Sequence, residues 1–153
     1  MEQQTEPIID NLWWVIPGKL AGVRKPTAAE LRELQAVGIG AIVSVTHDRS
    51  NLELYDRENI PHLWLPIQIA SSPSRSQVAE LIDFVDRHHR QGVGTAVHCT
   101  GGLHRTGTML AAYLILNGLS DEDAIVTIST ANSQAVLELA QTVFLRSLSA
   151  ENS

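Results

Sequence analysis

The residues with the clearest chemical potential stand together at His98-Cys99-Thr100-Gly101-Gly102-Leu103-His104-Arg105-Thr106-Gly107, a stretch that holds the one cysteine of the chain. Five residues separate Cys99 from Arg105, enough for a loop to curl so that successive backbone N–H groups point inward as a nest for phosphate oxygens. Gly101 and Gly102 permit the tight path, while Thr100, Leu103 and His104 complete the run of amides. Arg105 offers a planar fork of donors that matches two oxygens of one anion, a geometry lysine does not reproduce. A thiol beside a guanidinium and a helix N-terminus is stabilised as thiolate relative to its free pKa of about 8.5, so Cys99 is expected to be a nucleophile. Thr106 is expected to hydrogen-bond the sulfur and help it leave, and His98 to order the loop. A lone cysteine beside an apolar strand is ordinarily an inert core residue. What sets this one apart is His-Cys, the glycines, Arg-Thr-Gly and a strand-to-helix setting within one short segment.

Such a loop needs a strand to deliver it and a helix to receive it. Thr95-Ala96-Val97-His98 reads as a short apolar strand, and Thr108 to Asn117 as a helix stopped by Gly118. Upstream, Leu12–Ile16 and Lys19–Gly22 flank Pro17-Gly18, which predicts a hairpin at a sheet edge. Thr27 and Glu30 form a capping box for a helix to about Val37, and Ala41–Val45 reads as a buried strand. Ile60–Ile69 is a second extended run. Ser74 and Gln77 box another helix, with Val78, Leu81, Ile82 and Val85 on one face and Gly92 as its stop. Ser120, followed by Asp121, Glu122 and Asp123, caps a further helix, and a last one is expected from about Ser133 to Arg146. The alternation predicts an α/β fold with a central, mostly parallel sheet of about four to five strands flanked by helices. In such sheets ligands sit beyond the carboxyl ends of the strands, where Cys99 falls.

With 153 residues, 44% hydrophobic and 18% charged, residues 1–153 are expected to form one domain. No repeat or long linker divides them. A formal net charge of -6 argues against holding nucleic acid or anionic lipid through a broad basic surface, so an anionic substrate must be met locally. Met1–Pro7 carries acidic and amide residues where an export signal has a basic start and an apolar run. Met109–Leu116 is far shorter than the roughly 20 residues of a membrane span and reads as a buried helix. A single cysteine forms no internal disulfide and suits a reducing cytoplasm. His88 and His89, adjacent on a helix, point to different faces, so they are expected at a solvated helix end rather than on a metal; no metal or other cofactor is expected. Trp13, Trp14 and Trp64 are expected in the core, and Arg24 and Lys25 either attract an anion or are plain surface.

These residues resemble the cysteine-dependent protein phosphatases, which share His-Cys, five residues, Arg and then Ser or Thr, and most of all the small atypical dual-specificity phosphatases. The similarity extends to Trp14–Gly22, to Ile42–Thr46 and to Arg105–Ala111. It implies a parallel-centred sheet, no metal, hydrolysis through a phosphocysteine, and phosphorylated protein or peptide as substrate. Two departures stand out. The aspartic acid that protonates the leaving oxygen in these enzymes has no counterpart in Leu65–Ser74, where Ile69 takes its place. A glutamine that positions the hydrolytic water aligns with Leu139. His104 is the candidate replacement acid, because it lies in the loop and imidazole titrates near neutral pH; myotubularin-like phosphatases, with an aspartate at the corresponding position, are a partial analogy. Asp48 and His47 are weaker candidates. Without an acid, aryl phosphates such as phosphotyrosine are favoured. The competing readings are a phosphoinositide phosphatase, for which Thr100-Gly101-Gly102-Leu103 is weakly basic, a phosphate-recognising module with little turnover, and sulfur transfer or arsenate reduction, which Arg105-Thr106-Gly107 fits less well.

Overall fold

The computed structural model describes residues 7–100, 103–135 and 137–152. The acidic stretch 1–6 and the loop glycines Gly101 and Gly102 lie outside the described residues. After a 3₁₀ turn at Ile8–Asn11 the chain forms five strands and six helices: β1 Trp13–Ile16, β2 Leu20–Gly22, α1 Ala28–Ala36, β3 Ile39–Ser44, α2 Leu52–Arg57, β4 His62–Trp64, α3 Arg75–Arg90, β5 Gly94–His98, α4 His104–Leu116, α5 Asp121–Ala131 and α6 Leu139–Asn152.

The sheet has the order β1-β2-β5-β3-β4. Only the β1–β2 pair is antiparallel; β2–β5, β5–β3 and β3–β4 are all parallel, as the α/β reading expected. The hairpin turns at Pro17-Gly18, where Lys19 N donates to Ile16 O at 2.9 Å and Gly18 takes a φ of 78°, a region open to glycine. Period-two alternation splits the strands between two cores. Val43, Val97 and Leu20 join α3, α4, α5 and α6 on one face, while Ala96, Ile42 and Ala21 join α1 and α2 on the other. Helix α4 is buried from Arg105 to Ile115, which is why its sequence is apolar on all sides. Burying its Met109, Leu110 and Ile115 contributes about 1.5–3 kcal/mol each.

Four segment expectations are corrected. Helix α4 starts at His104 rather than Thr108, so the arginine lies in its first turn; Gly107 admits this, since a Cβ there would meet Leu137 Cδ2 at 3.3 Å. The last helix starts at Leu139 rather than Ser133, because Asn132 turns the chain by accepting Gln134 N on Oδ1 at 2.9 Å and Ala135 N on its carbonyl at 3.1 Å. The Ile60–Ile69 run narrows to three strand residues between Pro61 and Pro66, which lack the N–H a ladder needs. Helix α2 was not foreseen: it is six residues long and buries only Leu52 and Tyr55, too short for a helical period to register.

Candidate active site

Strand β5 is the middle strand of the sheet and delivers Cys99 just past its carboxyl end. Its last residue is held against β3, where Ser44 pairs with His98 and Val45 N donates to His98 O at 2.9 Å. Cys99 is 2% exposed and sits in a cavity of ≈ 260 Å³. Thr100, Leu103, His104 and Arg105 line the same cavity with it, Ile69 and Ala70 form a second wall, and Glu138 a third. Among the described loop residues, the predicted anion binders are thus brought to one hollow.

Arg105 is 6% exposed, and its Nη1 donates to Ile67 O at 2.9 Å, tying the guanidinium to the segment before Ile69. Among the described residues no side chain caps α4 at Leu103. The start of α4 is the positive end of its dipole, a setting that favours an anion. Ile69 replaces the expected acid as an apolar lip, 70% exposed. It stands in a turn closed by Ser71 N to Gln68 O at 3.0 Å, with Ala70 at φ 64°.

His98 is fully buried. Burial pushes its pKa down to about 4, with the Cys99 backbone carbonyl acting the other way, so the ring is neutral at neutral pH. Its Nε2 lies 2.8 Å from Tyr55 Oη. Thr106 Oγ1 is buried without a hydrogen-bond partner. His47 and Asp48 do not line the cavity, and the Asp48 carboxylate accepts Ser50 N at 3.1 Å, which holds its pKa below the ordinary value.

Other candidates fall outside the site. Arg24 donates through both Nη atoms to Glu30, at 2.9 and 2.7 Å, and this pairing holds the Glu30 carboxyl down to about 2. His88 is buried rather than solvated: it continues the Val78, Leu81, Val85 face, and its ring bonds Phe84 O at 2.8 Å. Trp13 is buried in the core, while Trp14 and Trp64 are half-buried against the second core.

Sequence reasoning missed Glu138 and Gln141. Leu139, where the glutamine was sought, is 79% exposed. Gln141 is fully buried; its Oε1 accepts Glu138 N at 2.7 Å and its Nε2 donates to Ser71 O at 3.2 Å. It clasps the start of α6 to the Ile69 turn. The Glu138-x-x-Gln141 spacing carried the signal, since glutamine three residues past a helix start reaches back to the first amide.

Residues 18–119 match the family model described as "Polymorphic toxin system, DSP-PTPase phosphatase". An uncharacterised protein of Methanocaldococcus jannaschii is 37% identical over 62 residues, which span 40% of this chain and 42% of that relative's length. The crystal structure of Tk-PTP in the active form is similar at a TM-score of 0.82, with 27% identity over 92% of this chain and 97% of that one. PTPMT1 in complex with PI(5)P shares the fold at a TM-score of 0.83, with 19% identity over 94% of this chain and 97% of that one.

Proposed function

The chain belongs to the DSP-PTPase phosphatase family of polymorphic toxin systems, and from that premise we propose that Cys99 is the nucleophile and Arg105 the phosphate clamp. The chain is a cysteine-dependent phosphatase. In the proposed reaction the Cys99 thiolate attacks phosphorus, the ester oxygen leaves with a proton, and water then cleaves the phosphocysteine to release the thiolate. The amides of residues 100–105 and the Arg105 fork hold the equatorial oxygens. His98 orders the loop from beneath, and Thr106 brings an unpartnered hydroxyl to its base. The observation that carries the reading is one hollow containing both Cys99 and Arg105 at the carboxyl end of the central strand, against an uncapped helix start.

His104 is the proposed proton donor to the leaving oxygen, since it lines the cavity where Ile69 does not carry an acid. The same substitution supports a preference for aryl esters: Ile69 and Leu103 give an aromatic ring an apolar wall, and a phenolate needs less protonic help to leave. Phosphotyrosine in a protein or peptide is the proposed substrate, acted on by residues 1–153 as one catalytic domain in a reducing cytoplasm. No helix among the described residues is long and apolar enough to cross a membrane. The likeness to PTPMT1 with its bound PI(5)P raises inositol lipids as a second reading, which the Glu138 carboxylate in the cavity wall disfavours for a polyanionic headgroup.

Stopped-flow turnover of p-nitrophenyl phosphate tests the proposal. A stoichiometric burst of phenolate, lost in Cys99→Ser, is expected. Saturable binding without a burst would make the chain a phosphate-recognising module.

A further inference from the structure

The two most exposed large apolar side chains among the described residues are Leu139 at 79% and Ile69 at 70%. They come from distant segments, yet the fold brings both to the mouth of the Cys99 cavity. Ile69 is one wall of that cavity, and Leu139 directly follows Glu138, which forms another. The two segments are tied together by the buried Gln141, whose Oε1 accepts Glu138 N at 2.7 Å and whose Nε2 donates to Ser71 O at 3.2 Å. Val143, 56% exposed, stands one turn further along α6 on the same face as Leu139. Apolar side chains exposed singly are ordinary on a protein surface; three that run outward from the mouth of a site, on a frame held by hydrogen bonds, mark a contact surface.

We propose that Ile69, Leu139 and Val143 form a subsite for an apolar side chain flanking the phosphotyrosine. The substrate class is then a phosphotyrosine peptide with an aliphatic residue one or two positions from the phosphorylated one. The cavity runs from Cys99, 2% exposed, up to Ile69 in open solvent. A phosphotyrosine whose phosphate meets Cys99 and Arg105 fills that depth with its ring and leaves its backbone at the level of Ile69. Neighbouring residues of an extended peptide, about 3.3 Å apart along the chain, then pass over the rim. The Glu138 carboxylate beside the rim sets an acidic residue there at a disadvantage. A lipid surface fits less well: helices that lie on membranes offer Lys and Arg, and the one cation of α6, Arg146, pairs with Asp121 at 4.0 Å. A second copy of the chain needs ~800 Å² on each side for stable association, more than three side chains supply. The inference rests on the phosphotyrosine reading, and its test separates the two.

The test is binding to Cys99→Ser, which holds a phosphopeptide without turning it over, read by fluorescence anisotropy. The probes are labelled phosphotyrosine peptides of serine and glycine in which one leucine or one aspartate is placed at each of the two positions before and after the phosphotyrosine. Leucine at one or two of these positions is expected to tighten Kd about tenfold over serine, the yield of covering roughly half of its side chain, and aspartate to weaken it. Adding Leu139→Ser and Val143→Ser is expected to bring leucine and serine peptides within about twofold. The same two substitutions on the Cys99 protein are expected to leave its circular dichroism and its turnover of p-nitrophenyl phosphate unchanged. Equal Kd for leucine and serine at every position, or no peptide binding at all, overturns the proposal. A preference that survives the two substitutions also overturns it, and cosedimentation with phosphatidylcholine vesicles that they abolish would then give the rim to a membrane. The wild-type burst with p-nitrophenyl phosphate is scored separately: a leucine preference without a burst leaves the subsite standing while the phosphatase mechanism falls, and a burst without the preference does the reverse.

Discussion

Helix α3 opens on Ser74, whose Oγ accepts Gln77 N at 3.1 Å while Gln77 Oε1 accepts Ser74 N at 2.9 Å. Helix α4 opens on Leu103, which brings no hydrogen-bonding side chain. Both helices pack against the same core, and both face the same requirement, since the first four amides of any helix lack partners within it. The first meets the requirement from its own sequence and is finished as a structural element. The second has no such side chain at its start, beside the cavity that Cys99 and Arg105 line. An absent cap would be a defect at a structural helix; beside a cysteine and an arginine it fits the proposed anion site.

The comparison is sharpened most by changing the side chain proposed to share the anion with the α4 amides. Arg105→Lys keeps the charge and loses the fork, and kcat/KM for p-nitrophenyl phosphate is expected to fall about 10²- to 10³-fold, with correct folding checked by circular dichroism. The proton supply comes next. His104→Ala is expected to lower kcat about 10²-fold on an alkyl phosphate and far less on p-nitrophenyl phosphate. Glu138→Gln is the control: if it reproduces that leaving-group dependence and His104→Ala does not, the donor is the carboxylate.

A smaller effect comes from making α4 resemble α3. Leu103→Asp places a capping carboxylate on the open amides, so inhibition by inorganic phosphate is expected to weaken about tenfold while thermal stability holds or rises. The reverse change, Ser74→Ala, is expected to cost about 1 kcal/mol in urea unfolding and leave kcat untouched. If Ser74→Ala altered turnover as much as Leu103→Asp, the contrast between the two helix starts would lose its functional meaning.

The effect with no bearing on turnover at neutral pH is a slope of stability with pH. His98 has a native pKa of about 4 against an ordinary 6.5, so the unfolded chain takes up its proton first as pH falls. Its contribution to stability is therefore intact above about 6.5 and declines between 6.5 and 4. His98→Asn is expected to flatten that part of the urea-unfolding profile.

How much of this was open to reading along the chain depended on range. The residues of the loop are contiguous, so their types and spacing carry the expectation of an anion nest wherever the segment is placed, and the α/β alternation follows from hydrophobic period and caps such as Ser74 and Ser120. The starts of α4 and α6 were misplaced because their first residues do not resemble capped helix starts: α4 opens without a cap, and α6 opens on Glu138 with Gln141 answering.

Composition and local pattern alone determined a single-cysteine, acidic chain with a strand, a loop of the residues proposed to hold phosphate, and a helix in succession. Only the tertiary structure brought Tyr55 to His98 across 43 residues, Ile67 to Arg105 across 38, and Gln141 to Ser71 across 70. The physical reason is that the proposed nest of amides depends only on neighbouring peptides. A partner for a buried polar atom, by contrast, is whichever group the packing of distant elements delivers within hydrogen-bond reach, and that choice is made when the layers close.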